Sequence, residues 1–271
     1  MTEPLAGFLA LAYPLLSAFG MAVARALGMI MITPAFNRLG LTGMIRSAVA
    51  VVVSIPVAPD IFQALAGDQA PGTLMLLALL IKEMIIGVII GLVFGIPFWA
   101  AEVAGELVDL QRGSTMAQLL DPLGAGESSV TSTLLSITLI TLFFISGGFT
   151  LMIDGLYRSY QLWPALAAAP VLGEATLVQI LGVLDKVMHI GVLMIAPVVI
   201  AILTADLLLA YLARMAPQLH VFDLSLSVKN LLFSFLMVIY IGFMIPFMLG
   251  QLGDMRTAFE QVRASVQGNP P

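Results

Sequence analysis

Few side chains in this sequence have the types and spacing needed for chemistry, and most of them interrupt apolar stretches. Glu102, Glu106 and Asp109 stand at offsets of four and seven, so a helix through them carries three carboxylates along one face. Acids inside an apolar helix are costly unless they are paired or used. Two readings follow: a wet face able to relay protons, or a rim at an interface where the acids pair with neighbouring bases. Arg25, Lys82, Glu83, Asp206 and His189 are the other polar interruptions. Lys82 and Glu83 are adjacent and do not face one another on a helix, which predicts a separate partner for each. Asp185 and His189, four apart, fit a local pair better than a proton path.

Catalysis finds little support. The chain has no cysteine, which removes thiol chemistry, disulfides and Cys-ligated metals, and its two histidines, His189 and His220, have no metal-site spacing. No phosphate-binding glycine loop, Gly-x-Ser-x-Gly elbow or triad is present. The expectation is a protein that is not an enzyme and holds neither cofactor nor metal. A net charge of −5 without any basic stretch also argues against nucleic acid as a partner.

The elements that must position these residues are membrane-length helices. The chain has 271 residues, 60% apolar and 10% charged, with mean hydropathy +1.07, whereas soluble domains carry roughly 25% charged residues. Leu5 to Thr33 has one charge, Arg25; Thr42 to Ala58 has one, Arg46; Gly72 to Ala101 is interrupted by Lys82-Glu83. Ser128 to Ile153 and Asn230 to Gly253 carry none, and Val187 to Leu212 contains only His189 and Asp206. At 1.5 Å per residue such runs exceed a hydrocarbon layer of about 30 Å. The pattern predicts an all-α, integral-membrane-type fold of about six long helices, some broken into hairpins. Met1-Thr2-Glu3-Pro4 lacks the basic region and cleavage site of a secretory signal, so the first segment is read as retained. Loops with Arg38, Arg158, Arg214 and Arg256 favour the cytoplasmic side.

Gly87, Gly91 and Gly95 recur every fourth residue, and Gly20, Ala24 and Gly28 do the same in the first segment. Both predict close helix packing. Pro97, Pro197 and Pro246 lie in or at the ends of apolar helices, where each removes a donor and can bend the axis.

Between the acidic helix and the charge-free run lies a different kind of segment, Leu110 to Val130. Gly113, Pro122, Gly124 and Gly126 interrupt it, and Met116, Leu119, Leu120 and Leu123 are mixed with Ser114, Thr115 and Gln118. Read from its residues, it is either a hydrophobic constriction, since Met and Leu seal against several shapes, or a connecting or re-entrant loop packed on its own bundle.

Arg25, Gly28, Pro34 and Arg46, KEMIIGVIIGL at 82–92, AGELVDLQRG at 104–113, Asp121-Pro122 and APQLHVFDLSLSVKN at 216–230 resemble, in order and spacing, the T-type and R-type export-gate proteins of type III secretion and flagellar export. GLYRSYQLWP at 155–164 is more similar to the injectisome T type than to the flagellar R type. The resemblance implies a bacterial inner-membrane, multi-pass subunit, one copy joining five P/R-type and four Q/S-type subunits in a portal raised toward the periplasmic side. Its fold would be a fusion of its two partner types, with one helical domain over 1–259, a plug-like loop at 110–127 and a polar tail at 260–271. The switch subunit, the large export protein and unfolded secreted polypeptides are the further partners it implies. The plug would seal the pore through Met116, Leu119 and Leu120, because Arg112, Ser114 and Thr115 stand where relatives are commonly apolar or aromatic. Arg25, Lys82, Glu83, Glu102, Glu106, Asp109 and Asp206 would serve hydrated surfaces or assembly. A flagellar R-type protein is the near alternative. A self-contained small-solute transporter is the distant one, and it lacks support from any internal repeat.

Overall fold

Long apolar runs leave backbone donors and acceptors no partner but their own helix, and the computed structural model follows that rule. It describes residues 2–38, 40, 42–66, 71–114, 129–167, 174–216 and 221–266. Among the described residues every regular element is a helix: α1 Thr2–Ile32, α2 Pro34–Arg38, α3 Gly43–Ser54, α4 Ala58–Leu65, α5 Thr73–Arg112, α6 Val130–Ile145, α7 Gly148–Leu162, α8 Glu174–Met215 and α9 Val221–Val266. Four stretches are long and apolar enough to cross a membrane: Ala12–Ile32 of α1, all of α5, Leu181–Met215 of α8 and Leu224–Thr257 of α9. Counting each of two bent helix pairs as a span makes six.

The bent pairs alter two expectations. The charge-free run Ser128 to Ile153, read as one span, is two helices turned by 71°. Its hinge is Gly147, which adopts φ +80°, a left-handed conformation open to a residue without a Cβ. Thr42 to Ala58 likewise ends early, because α3 gives way to α4 at 66°. Pro56 has no amide hydrogen to continue the ladder, and the chain tightens through Ile55 N–H to Val52 O (3.3 Å) and Val57 N–H to Ser54 O (3.2 Å). Pro14, Pro97, Pro197 and Pro246 lie inside helices that continue through them. Helix α9 runs on to Val266, so the expected tail from Glu260 begins as helix.

The chain divides into two compact units. The first contains residues 1–95, 147–183 and 254–271; the second contains 96–146 and 184–253. In the first, α1 packs on α2, α3 and α4, and Ala18, Met21, Ala22, Ile61, Leu65, Leu79 and Ala165 form a common core. Helices α1 and α5 cross on glycines. A Cβ on Gly87 would lie 2.0 Å from the Arg25 carbonyl oxygen, one on Gly28 2.4 Å from that of Met84, and one on Gly91 2.7 Å from that of Met29. Gly95 is buried. In the second unit Gly105 takes the same part, since a Cβ there would stand 2.2 Å from the Ser132 Cα. Phe98 meets Phe143 edge to face with centroids 5.3 Å apart, and the Tyr240 hydroxyl donates to the Met194 carbonyl at 3.0 Å.

Candidate functional site

Among the described residues each unit holds a buried polar cluster. In the first unit the glycine crossing brings Arg25 of α1 against Lys82 and Glu83 of α5, and all three are removed from solvent: 0%, 5% and 0% exposed. Arg25 grips Glu83 with both arms of its fork, Nε to Oε2 at 2.6 Å and Nη2 to Oε1 at 2.9 Å, a geometry that a point-charge amine cannot reproduce. Its remaining donors reach α7 and the residue after it, Nη1 to Ser159 Oγ at 2.9 Å and Nη2 to the Trp163 carbonyl at 2.8 Å. The guanidinium also lies 3.7 Å from the Tyr160 ring centroid.

Lys82 corrects the expectation drawn from its position in the sequence. It does have partners of its own, donating to the carbonyls of Pro164 (3.0 Å), Ala165 (2.7 Å) and Ala167 (3.0 Å) just past the end of α7. It also pairs with adjacent Glu83, Nζ to Oε1 at 2.8 Å, because its flexible stem lets the ammonium reach what the helix backbone turns away. Carbonyls beyond a helix C-terminus lack intrahelical donors, and a cation there satisfies them. Two cations and one carboxylate leave the cluster at +1, with the excess charge spread over main-chain oxygens. No carboxylate or amine here faces an open site; the cluster ties α1, α5 and the 159–167 segment together.

In the second unit Asp109, 1% exposed, is the hub. Arg112 pairs with its Oδ1 (Nε 2.8 Å, Nη2 2.7 Å). The returning chain at the start of α6 supplies the rest: Thr131 N–H to Oδ2 at 3.1 Å, Thr131 Oγ1 to Oδ1 at 2.6 Å, and the Ser129 hydroxyl to Oδ2. Ser129 caps α6 as well, accepting the Ser132 N–H at 2.9 Å. On the outgoing side, both the amide and the hydroxyl of Ser114 donate to the Asp109 carbonyl, each at 3.1 Å. Arg112 stacks over Phe233 of α9 at 4.5 Å. Lys229, also on α9, donates to the Gln111 carbonyl at 3.0 Å and pairs with Asp206 of α8 at 3.1 Å.

The three carboxylates expected on one face meet three environments: Glu102 is half-buried, Glu106 exposed and Asp109 sealed. Asp185 and His189 are both exposed. Met116, Leu119 and Leu120 lie outside the described residues. Among the described residues no group of three His, Cys, Asp or Glu side chains could hold a metal ion. Sequence reasoning missed Ser129 and Thr131 as ligands of Asp109, and Ser159, Tyr160 and the carbonyls after Trp163 as ligands of the basic residues. Ser129 alone carried a local signal, a hydroxyl residue immediately before an apolar helical run.

Spans of this length and composition, with Arg25, Lys82, Glu83 and Asp109 sealed inside, define a multi-pass, all-α membrane protein. Residues 16–255 match the profile of the family described as "Bacterial export proteins, family 1", and the chain belongs to that family. It is similar to "Yop proteins translocation protein T" of Yersinia pestis, 36% identical over 228 residues, which cover 84% of this chain and 86% of that one. It is also similar to "Surface presentation of antigens protein SpaR" of Salmonella typhimurium, 28% identical over 235 residues with 86% of each covered. "Flagellar biosynthetic protein FliR" of Pectobacterium carotovorum is 32% identical over 206 residues, 73% of this chain and 74% of that one. The chain is thus a non-enzymatic inner-membrane subunit of a bacterial export apparatus and works alongside other subunits of it.

Proposed function

We propose that this subunit forms part of the portal of a type III secretion export gate and part of the seal that closes it to small solutes until an unfolded polypeptide passes. One copy would join five P/R-type and four Q/S-type subunits in a portal raised toward the periplasmic side, above the large export protein and beside the switch subunit. The observation that carries the reading is the uncovered apolar surface of the two longest helices. Only 33% of the most apolar window of α8 and 17% of that of α9 are buried within the chain. Leu207, Leu208 and Tyr211 on α8 and Leu231, Phe235 and Phe243 on α9 stand exposed. Faces of this size ask for helical neighbours or lipid, and membership of an export family favours neighbours. Energy for transport would come from other components.

The seal is assigned to Met116, Leu119 and Leu120, whose flexible apolar side chains suit a closure that must open for varied sequences. Native mass spectrometry of the protein gently extracted with its membrane neighbours tests assembly. A stoichiometric complex with one copy of this chain and several of two small helical partners is expected; a stable monomer or homodimer refutes the reading. Deleting Ser114 to Leu120 tests the seal, with raised small-solute leakage expected in an assembled complex and unchanged leakage counting against it. The injectisome T type is preferred over the flagellar R type on the GLYRSYQLWP segment, and complementation of null strains of the two systems separates them.

A further inference from the structure

We propose that the corner where α1, α2 and α3 meet binds the headgroup of an anionic phospholipid, with α3 lying beside its acyl chains in a single leaflet. All of the residues concerned belong to the first unit. The basis is the way Arg46 is held. Arg25, Lys82, Arg112, Arg158 and Lys229 rest on carboxylates. Arg46, in the first turn of α3, rests instead on a neutral amide: its Nη1 donates to Asn37 Oδ1, and Asn37 Nδ2 donates in turn to the Met31 carbonyl at 2.9 Å. The guanidinium is thus drawn to the residue that precedes exposed Arg38, fixed in place with its charge kept and further donors to spare.

Between Glu3 and Asp60 the sequence contains no acid, so the two cations of this corner have no carboxylate near them along the chain. Like charges held at one place repel. A phosphate diester offers the counter-charge, together with oxygens that a guanidinium fork grips in pairs. A zwitterionic headgroup suits the corner less well, because it brings an ammonium of its own that no neighbouring acid stands ready to receive.

Position selects a lipid over other anions. The membrane-length stretch Ala12–Ile32 ends just before Pro34 opens α2, so the corner lies where headgroups lie, and basic clusters at that level recognise anionic lipids. From the corner, α3 presents an exposed apolar stripe at helical spacing: Met44, Ala48, Val52 and, at its end, Ile55. The twelve residues of α3 rise about 18 Å, close to half of a hydrocarbon layer about 30 Å thick. The chain then turns by 66° into α4, whose Ile61 and Leu65 pack with Ala18, Met21 and Ala22 of α1. Charge at one end of an apolar strip one leaflet deep is the outline of a phospholipid; a neighbouring spanning helix would ask for a strip about twice as long.

The test uses the assembled export complex in nanodiscs, with Ala48→Cys carrying a fluorophore. The parent chain contains no cysteine, so the parent complex treated in the same way supplies the blank. Discs of phosphatidylcholine contain a minor share of either phosphatidylglycerol or phosphatidylcholine brominated on the acyl chains, and quenching reports which lipid lies along α3. Phosphatidylglycerol should be preferred, with Arg38→Gln and Arg46→Gln each lowering the preference about fivefold and the two together removing it. Added sodium chloride should weaken it. Arg158→Gln, which removes a charge already met by Asp154 and Glu260, should leave it unchanged. Equal quenching by the two lipids refutes the site, as does a preference that survives the double variant or falls as far in Arg158→Gln. Quenching by neither lipid shows that a protein neighbour covers α3 and overturns the proposal as well. Where Arg46→Gln fails to assemble, a preference that neither Arg38→Gln nor salt reduces refutes it.

Discussion

Replacing Glu83 by Gln should be the most damaging single change in the Arg25 cluster, although the side chain keeps its shape. Arg25 and Glu83 are both 0% exposed and Lys82 is 5% exposed, so water cannot take over for a missing charge. The parent cluster holds two cations and one anion. Glu83→Gln raises its charge from +1 to +2, whereas Arg25→Met lowers it to zero and leaves the Lys82–Glu83 pair at 2.8 Å. Removing one member of a buried pair costs about 3–5 kcal/mol. Glutamine still offers one carbonyl oxygen, and both cations keep other acceptors, which places Glu83→Gln at the lower end, about 3 kcal/mol. Arg25→Met loses the bonds to Ser159 and the Trp163 carbonyl without stranding a cation, and should cost about 1–3 kcal/mol. Combining the two restores +1, so the double variant should be less damaged than the sum of the singles. Thermal unfolding of the purified assembled complex, followed by loss of its gel-filtration peak, reads the order. At roughly 2–4 °C per kcal/mol for a chain of this size, Glu83→Gln should fall by about 6–12 °C. A Glu83→Gln complex at least as stable as Arg25→Met, or strictly additive effects, would refute the charge argument.

Gly87→Ala should weaken the same complex, because the new Cβ would stand 2.0 Å from the Arg25 carbonyl and two helix backbones would have to separate, at a cost of about 1–3 kcal/mol. Gly182→Ala, with nothing within 4 Å of its Cβ, is the control in the unassembled chain in micelles, where helicity by circular dichroism should hold or rise. Arg158→Ala removes pairs to Asp154 (2.8 Å) and Glu260 (3.5 Å), but a side chain 38% exposed contributes about 0–1 kcal/mol. Its melting temperature should stay near the parental value in both low and high salt, and a fall as large as that of Glu83→Gln would contradict this ranking.

What the sequence made legible was the part governed by local periodicity. Long apolar runs announced α5, α8 and α9, and the glycines four apart in the first half of α5 lie where it meets α1. The break inside Ser128 to Ile153 was harder to see, because hydropathy does not register a change of direction and the Gly147-Gly148 pair looks as apolar as its neighbours. Partners across long separations were invisible for a different reason. Arg25 meets Glu83 across 58 residues and Ser159 across 134, and no periodicity spans such distances. The rule that adjacent helical residues face apart failed at Lys82-Glu83, since it describes Cβ directions and a lysine ammonium lies several bonds beyond. Grouping Glu102, Glu106 and Asp109 by helical phase was sound as geometry, yet phase alone did not reveal that α6 would cover only the last of them.

The separation between Arg25 and its partners also sets a timetable for making the protein. Chains are synthesised at about 5–20 residues per second in N- to C-terminal order, so Glu83 emerges roughly 3–12 s after Arg25, given the 58 residues between them. Ser159, 134 residues on, follows roughly 7–27 s after Arg25. During the first interval Arg25 stands without its counter-ion near the middle of the span Ala12–Ile32, a placement that costs about 2.5–3.5 kcal/mol on insertion scales. The apolar residues of α1 have to carry that penalty alone until α5 arrives. The nascent chain therefore passes through a stage in which its first helix is committed to the membrane on credit of a partner not yet translated, and slowing the ribosome between codons 33 and 83 lengthens that stage.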